Sequence, residues 1–393
     1  MKNTDVQKRW GILLAAFFVN LFLGGIYAWS EIKISLIKEL NWSAGSTKLP
    51  FTIALVMFVV LTIIGGRLQD KYGPRYVGVI GGILFGMGFI LSAFAANYFI
   101  MLLTFGVICG SAMGLCFSTT IPSVIKWFPL KQKGLVLGFA VSGLGLAPLY
   151  MDLLTNYLLK LYGIQNTFII LGVLSSIFLV IFAFLLTKPS PENLFSEEKQ
   201  VDYNWKTMLG SKFFYAFWSL LLLFSVASLL IIGSLGSIAD AQASWKAGFT
   251  LVIILAISNF IGRVLSGYFY NKFGFSKVIL TIIFIQIANI LFYWSYTTVP
   301  LLALGIAITG FSYGALFTLF PSLMIDSFGL KNFGLNFGLV YTAWGIASIF
   351  VPMFRSNFIV ATGTLNIPHL IAIFLFVICI NILMKLKSLQ PLK

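Results

Sequence analysis

The sequence predicts an all-α membrane protein in which twelve transmembrane helices form two pseudo-symmetric six-helix bundles. Three observations carry this. Of the 393 residues, 59% are hydrophobic and 9% charged, against roughly 25% charged in a soluble domain, and mean hydropathy is +0.99. Apolar runs of about 20 residues recur along the chain, each long enough to cross a hydrocarbon core of about 30 Å as a helix. Finally, the second half repeats motifs of the first at an offset of about 200 residues.

The predicted spans are 10–30, 47–66, 76–96, 98–120, 134–156, 165–187, 212–236, 247–270, 277–297, 299–320, 334–354 and 367–386. The first is too long for the apolar core of a signal peptide and lacks a small-residue cleavage site after it, so it reads as a span. The longest polar break is KPSPENLFSEEKQVDYNWKTMLGS at 188–211, where two prolines and mixed charges prevent a continuous membrane helix. The expected domains are therefore an N-terminal bundle (1–187), a cytoplasmic linker (188–211) and a C-terminal bundle (212–393).

A net charge of +15 raises the question of nucleic acid, but there is no polar domain on which a basic surface would form. Topology explains the charge better. With both termini in the cytoplasm, 19 of the 26 basic residues fall on that side and six on the other. This fits a multi-pass protein of a bacterial inner membrane. The remaining basic residue is Arg263, inside the apolar run 247–270.

Cys109, Cys116 and Cys379 all fall in spans, as small packing residues rather than a disulfide framework. His369 is the only histidine, so no metal site or other cofactor is expected. No nucleophile with a base lies at membrane depth, so the chain is not expected to be an enzyme.

The repeat is legible in two places. GGRLQDKYGPR (65–75) matches SGYFYNKFG (266–274), and PSVIKWFPLKQKGLVLG (122–138) matches PSLMIDSFGLKNFGLNFG (321–338). Two such repeats about an axis along the membrane normal make a shell with a site between them, which suits alternating access. Arg263 falls opposite Thr62, so the repeated scaffold does not itself demand a charge there.

The first motif is a tight turn, with Gly73 and Pro74 setting the reversal and Asp70 placed to meet a helix N-terminus or a nearby cation. Its Gly66, Asp70, Lys71, Gly73 and Arg75 resemble the loop motif of the major facilitator superfamily, in which the aspartate helps latch the halves in one state. The second copy has Asn271 in place of Asp70, which implies a weaker latch. The competing reading of these residues is positive-inside topology alone.

Trp127 to Gly138, continuing to Gly143 and Gly145, is similar to the entry to the fifth helix of the oxalate/formate antiporter family and the related monocarboxylate transporters. The stretches 24–30, 259–263 and 341–345 extend the resemblance over essentially the whole chain. It implies that Arg263, on the eighth helix, binds the substrate carboxylate. Guanidinium stays charged when desolvated, and its planar fork matches a carboxylate bidentately. Asn259 lies one turn earlier on the same face, where it would hydrogen-bond an anion or orient the arginine. The alternative for Arg263 is snorkelling to the headgroups.

Two departures from the family patterns bear on substrate and coupling. Oxalate-exchanging members carry a lysine on the eleventh helix, and the stretch 341–345 here has none. One cation balances one carboxylate, so a monocarboxylate is favoured. Proton-coupled monocarboxylate transporters have an aspartate where this chain has Asn259. That leaves Asp152 as the proton-site candidate and leaves symport and exchange both open. Tyr27, Trp29, Tyr150, Tyr313, Tyr341 and Trp344 are the candidate walls of the cavity, with packing or interfacial roles as the alternative.

The expected function is secondary transport of a small organic anion of the lactate, pyruvate or formate class, by a chain working as a monomer in the lipid bilayer. The alternatives are oxalate/formate-type dicarboxylate exchange, efflux of other small molecules, and a membrane sensor that keeps a transporter-like shell.

Overall fold

A backbone polar group left unpaired in hydrocarbon costs several kcal/mol, so membrane-crossing segments close their hydrogen bonds internally as helices. The computed structural model describes residues 3–43, 45–95, 97–189, 202–362 and 366–389, and all regular structure among them is helical. Half of the predicted linker, 190–201, lies outside the described residues. Among the described residues, eleven helices are long and apolar enough to cross a membrane. One of them, Lys133–Leu185, turns at Gly163, where φ is 71° and ψ is 179°, a conformation that glycine adopts without steric cost. Divided there, it gives two spans, and the total is twelve.

We number them α1 (Gln7–Glu39), α2 (Leu49–Tyr72), α3 (Pro74–Ser92) and α4 (Tyr98–Ile125). The next four are α5 (133–162), α6 (164–185), α7 (Lys212–Ala243) and α8 (Gly248–Phe273). The last are α9 (Phe275–Phe292), α10 (Val299–Phe328), α11 (Phe333–Thr362) and α12 (Asn366–Leu386).

Several helices outrun their predicted ends. Hydropathy registers only what sits in hydrocarbon, whereas a helix continues until the backbone is turned. α2 runs through polar residues to Tyr72 and stops at Gly73 (φ 96°). Pro74 then opens α3 in the first turn, where its missing N–H is not needed. Gly274 (φ 77°) plays the same part between α8 and α9, and Gly329 (φ 80°) ends α10. Two spans also depart from α-geometry. α1 tightens to a 3-10 helix over Gly24–Ala28, and α4 contains eight π-helical residues, Leu102–Cys109.

The chain packs as two compact units. One comprises residues 1–130, 139–199 and 330–339, and the other 131–138, 200–329 and 340–393. Within the first, Asn20 Nδ2 on α1 donates to Ala140 O on α5 at 3.0 Å. Glycines let α3 close on α4: a Cβ on Gly81 would lie 2.6 Å from Cys116 Sγ, and one on Gly88 2.4 Å from Cys109 Sγ. All three cysteines are free and buried. In the second unit the same device joins α8 and α10, where a Cβ on Gly262 would meet Phe311 O at 2.2 Å and one on Gly314 would meet Asn259 O at 2.2 Å. α9 is tied to α10 by buried amides instead, Asn289 Nδ2 donating to Gly305 O at 3.0 Å and Gln286 Nε2 to Thr309 Oγ1 at 3.3 Å.

Candidate functional site

Arg263 lies in the middle turns of α8 and is 3% exposed. Its Nε donates to Asn259 Oδ1 at 2.8 Å, a contact that the four-residue spacing on one helix makes possible. The guanidinium carbon sits 4.3 Å from the ring centroid of Phe317 on α10, a cation–π distance. The backbone is held as firmly. Thr318 Oγ1 donates to Arg263 O at 3.0 Å, and Gly138 on α5 packs so close that a Cβ there would come within 2.2 Å of the same oxygen. The arginine is oriented by an amide on one edge and an aromatic face on the other, as a preorganised anion-binding group would be.

Phe317 leads from Arg263 into an aromatic cluster. Tyr313 stands one turn earlier on α10, with its ring centroid 5.2 Å from that of Phe317. Trp344 of α11 donates its Nε1–H to Tyr313 Oη at 2.9 Å, and Tyr341 stacks on Trp344 at 4.9 Å. Trp218 of α7 donates to Thr342 Oγ1 at 2.9 Å, fixing α11 from the other side. Arg263, Asn259, Tyr313, Tyr341 and Trp344 therefore form one neighbourhood within the second unit. Phe317, Trp218 and Thr342 belong to it and were missed from sequence. For Phe317 a signal existed, since it lies four residues after Tyr313.

Tyr27, Trp29, Tyr150 and Asp152 belong to the first unit. Trp29 is 3% exposed, donates to Thr47 O at 2.9 Å and packs on Phe105 at 4.3 Å, which accounts for its ring by packing. Tyr150 is half-buried, and its hydroxyl donates to Leu21 O at 2.9 Å. Tyr27 is half-buried in the 3-10 stretch of α1. Asp152 Oδ1 accepts from Ser30 Oγ at 2.9 Å, which joins α5 to α1.

Asp70 sits in the last turn of α2, and its Oδ2 accepts from the N–H of Leu335 at 3.3 Å. Leu335 is in the first turn of α11, where unpaired N–H groups favour a carboxylate. Gly66 lets the helices meet, since a Cβ there would lie 2.2 Å from Gly334 O. At the corresponding place Asn271 Oδ1 accepts from Gly134 N–H at 3.0 Å. Lys71 lies over the Tyr72 ring at 4.8 Å and Arg75 over Phe184 at 4.3 Å. A further group was not anticipated: Lys133 at the start of α5 forms an ion pair with Asp326 of α10, and Tyr270 of α8 donates its hydroxyl to the same carboxylate.

Comparison with known proteins supplies the context for this geometry. The sequence profile of the Major Facilitator Superfamily matches residues 11–352. The chain is 29% identical over 362 residues to the MFS-type transporter YhjX of Escherichia coli K12, covering 89% of this chain and 88% of that one. It is 26% identical over 357 residues to the oxalate:formate antiporter of Oxalobacter formigenes, covering 87% and 83%. Among solved structures, the proton:xylose symporter XylE superposes with a TM-score of 0.75 at 15% identity, over 98% of this chain and 97% of the other.

Proposed function

We propose, from the premise that this chain belongs to the Major Facilitator Superfamily, that the transporter carries a small monocarboxylate of the lactate, pyruvate or formate class by alternating access. The carrying observation is Arg263, 3% exposed on a spanning helix and oriented by Asn259 and Phe317. An ionisable residue at membrane depth is costly to keep and marks a substrate or ion pathway. Guanidinium offers a fixed positive charge and paired donors, which fits a carboxylate. The aromatic group of Tyr313, Phe317, Tyr341 and Trp344 would wall the short organic tail.

Charge count separates a monocarboxylate from oxalate. The residues 341–345 that line the aromatic group contain no lysine, so a second carboxylate would be desolvated without a second fixed cation from that helix. We assign Asp152 as the group that binds a proton if transport is proton-coupled, and residues 1–187 and 212–393 as the two bundles that move, with both termini in the cytoplasm. Asp70 and Asn271 would hold one state of the cycle.

The test is thermal stabilisation of the purified protein across matched mono- and dicarboxylates. Stabilisation by formate, lactate or pyruvate, and none by oxalate at the same concentration, is expected. Stronger stabilisation by oxalate would replace this reading with dicarboxylate exchange.

A further inference from the structure

A cavity with a volume of about 410 Å³ lies on the face of α8 and α9 and over Phe311 of α10. α8 contributes Ser266, Phe269 and Phe273, and α9 contributes Val278, Ile282 and Ile285. These spacings of three and four place each set along one strip of its helix. The cavity is therefore a groove parallel to the helix axes. Between Lys277 and Ile285 it runs about 12 Å at 1.5 Å per residue, less than half of a hydrocarbon core of about 30 Å. It starts at the α8–α9 turn and stays within one leaflet.

The walls are apolar and open to the surroundings: Phe269 is 38% exposed, Phe273 48% and Ile285 48%. The end at the turn is cationic. Lys277 lines the groove, and Lys272 lies beside it with Nζ 5.3 Å from the Phe273 ring centroid. The sequence has no Asp or Glu between Asp240 and Asp326, and Asp326 is engaged by Lys133 and Tyr270. The repeat shows why the groove exists on this side. Gly81 lets α3 close onto Cys116 of α4, whereas α9 has Ile282 at the equivalent place and no glycine from 275 to 292.

We infer that this groove is a lipid site, filled by one acyl chain of an anionic phospholipid whose phosphate meets Lys272 and Lys277. A membrane-facing apolar slot one leaflet deep and cationic at its outer end complements that shape and that charge. A zwitterionic lipid would bring its own cation to the same lysines. The floor is Ser266, whose hydroxyl donates to Arg263 O at 3.3 Å, so the bound chain lies one helical turn behind the buried arginine.

The test is native mass spectrometry of the full-length protein in detergent, titrated with phosphatidylglycerol or phosphatidylcholine. Wild type should retain one phosphatidylglycerol per chain and no phosphatidylcholine. Retention should fall about tenfold in Lys272→Ala/Lys277→Ala, which removes the cations, and in Thr281→Trp, which fills the slot from its exposed rim. Phosphatidylglycerol retention unchanged in both variants, equal retention of phosphatidylcholine, or displacement of the lipid by inorganic phosphate would each overturn the assignment. Monodisperse elution of both variants separates loss of the lipid from loss of the fold.

Discussion

The pair α2 and α4 in the first unit and the pair α8 and α10 in the second have one backbone design and opposite chemistry. A Cβ on Gly114 would meet Phe58 O at 2.5 Å, and one on Gly314, the equivalent residue, would meet Asn259 O at 2.2 Å. Phe117 and Phe317 then occupy the same place beyond these glycines. In the first pair Phe58 packs edge-on against Phe117 at 5.3 Å, and Thr62 turns its hydroxyl back to Phe58 O at 2.6 Å. In the second, Asn259 replaces Phe58, Arg263 replaces Thr62, and the guanidinium takes the face of Phe317 at 4.3 Å. The glycine contacts fix how near the helices come, and two substitutions exchange a closed apolar crossing for one that holds a buried guanidinium.

Converting the second pair into the first should have the largest effect. The double variant Asn259→Phe/Arg263→Thr should still fold, because the same side chains fit the equivalent crossing and the change removes a charge whose burial is costly. Stabilisation by carboxylates in a thermal-shift titration should fall by at least about 100-fold in apparent affinity, the upper end of roughly 1.5–3 kcal/mol for a charged hydrogen bond. Asn259→Ala leaves the cation but frees its orientation, and should weaken the same titration about tenfold. Phe317→Leu removes a cation–π contact worth about 2 kcal/mol for a desolvated cation; because that contact already exists without substrate, only part of it bears on binding, and affinity should fall about 2- to 5-fold, while Phe117→Leu lowers the melting temperature without moving affinity. The smallest effect belongs to the turns. Asp70→Asn makes the first turn resemble the second, removing a charge–dipole interaction of roughly 0.3–1 kcal/mol, and should change turnover about twofold, read as initial uptake rate at saturating substrate.

Much of the fold was legible because hydrocarbon imposes a simple length rule, and the repeat kept its glycines and its turn motif in register. The limits of that rule explain the differences. Hydropathy ended the tenth span at 320, whereas α10 runs to Phe328, which hid Asp326 and its pairing with Lys133. It also gave no sign that α1 tightens over Gly24–Ala28, where a Cβ on Gly24 would lie 1.8 Å from Ala147 Cβ. Arg263 was legible because charge is rare at depth. Its aromatic partner was harder to read, since 16% of the residues are aromatic and composition does not say which ring faces the cation; the four-residue spacing from Tyr313 was the one signal for Phe317. Trp29 makes the same point in reverse, an aromatic in a motif whose ring is taken up by Thr47 and Phe105.

Whether one buried arginine holds one carboxylate is decided by counterflow of labelled monocarboxylate in proteoliposomes. Wild type, Arg263→Lys, Arg263→Ala and Thr62→Ala would be measured side by side. Full exchange is expected for wild type and Thr62→Ala, strongly reduced exchange for Arg263→Lys, which keeps the charge but loses the fork, and none for Arg263→Ala. Unchanged exchange in both Arg263 variants would contradict this role for Arg263.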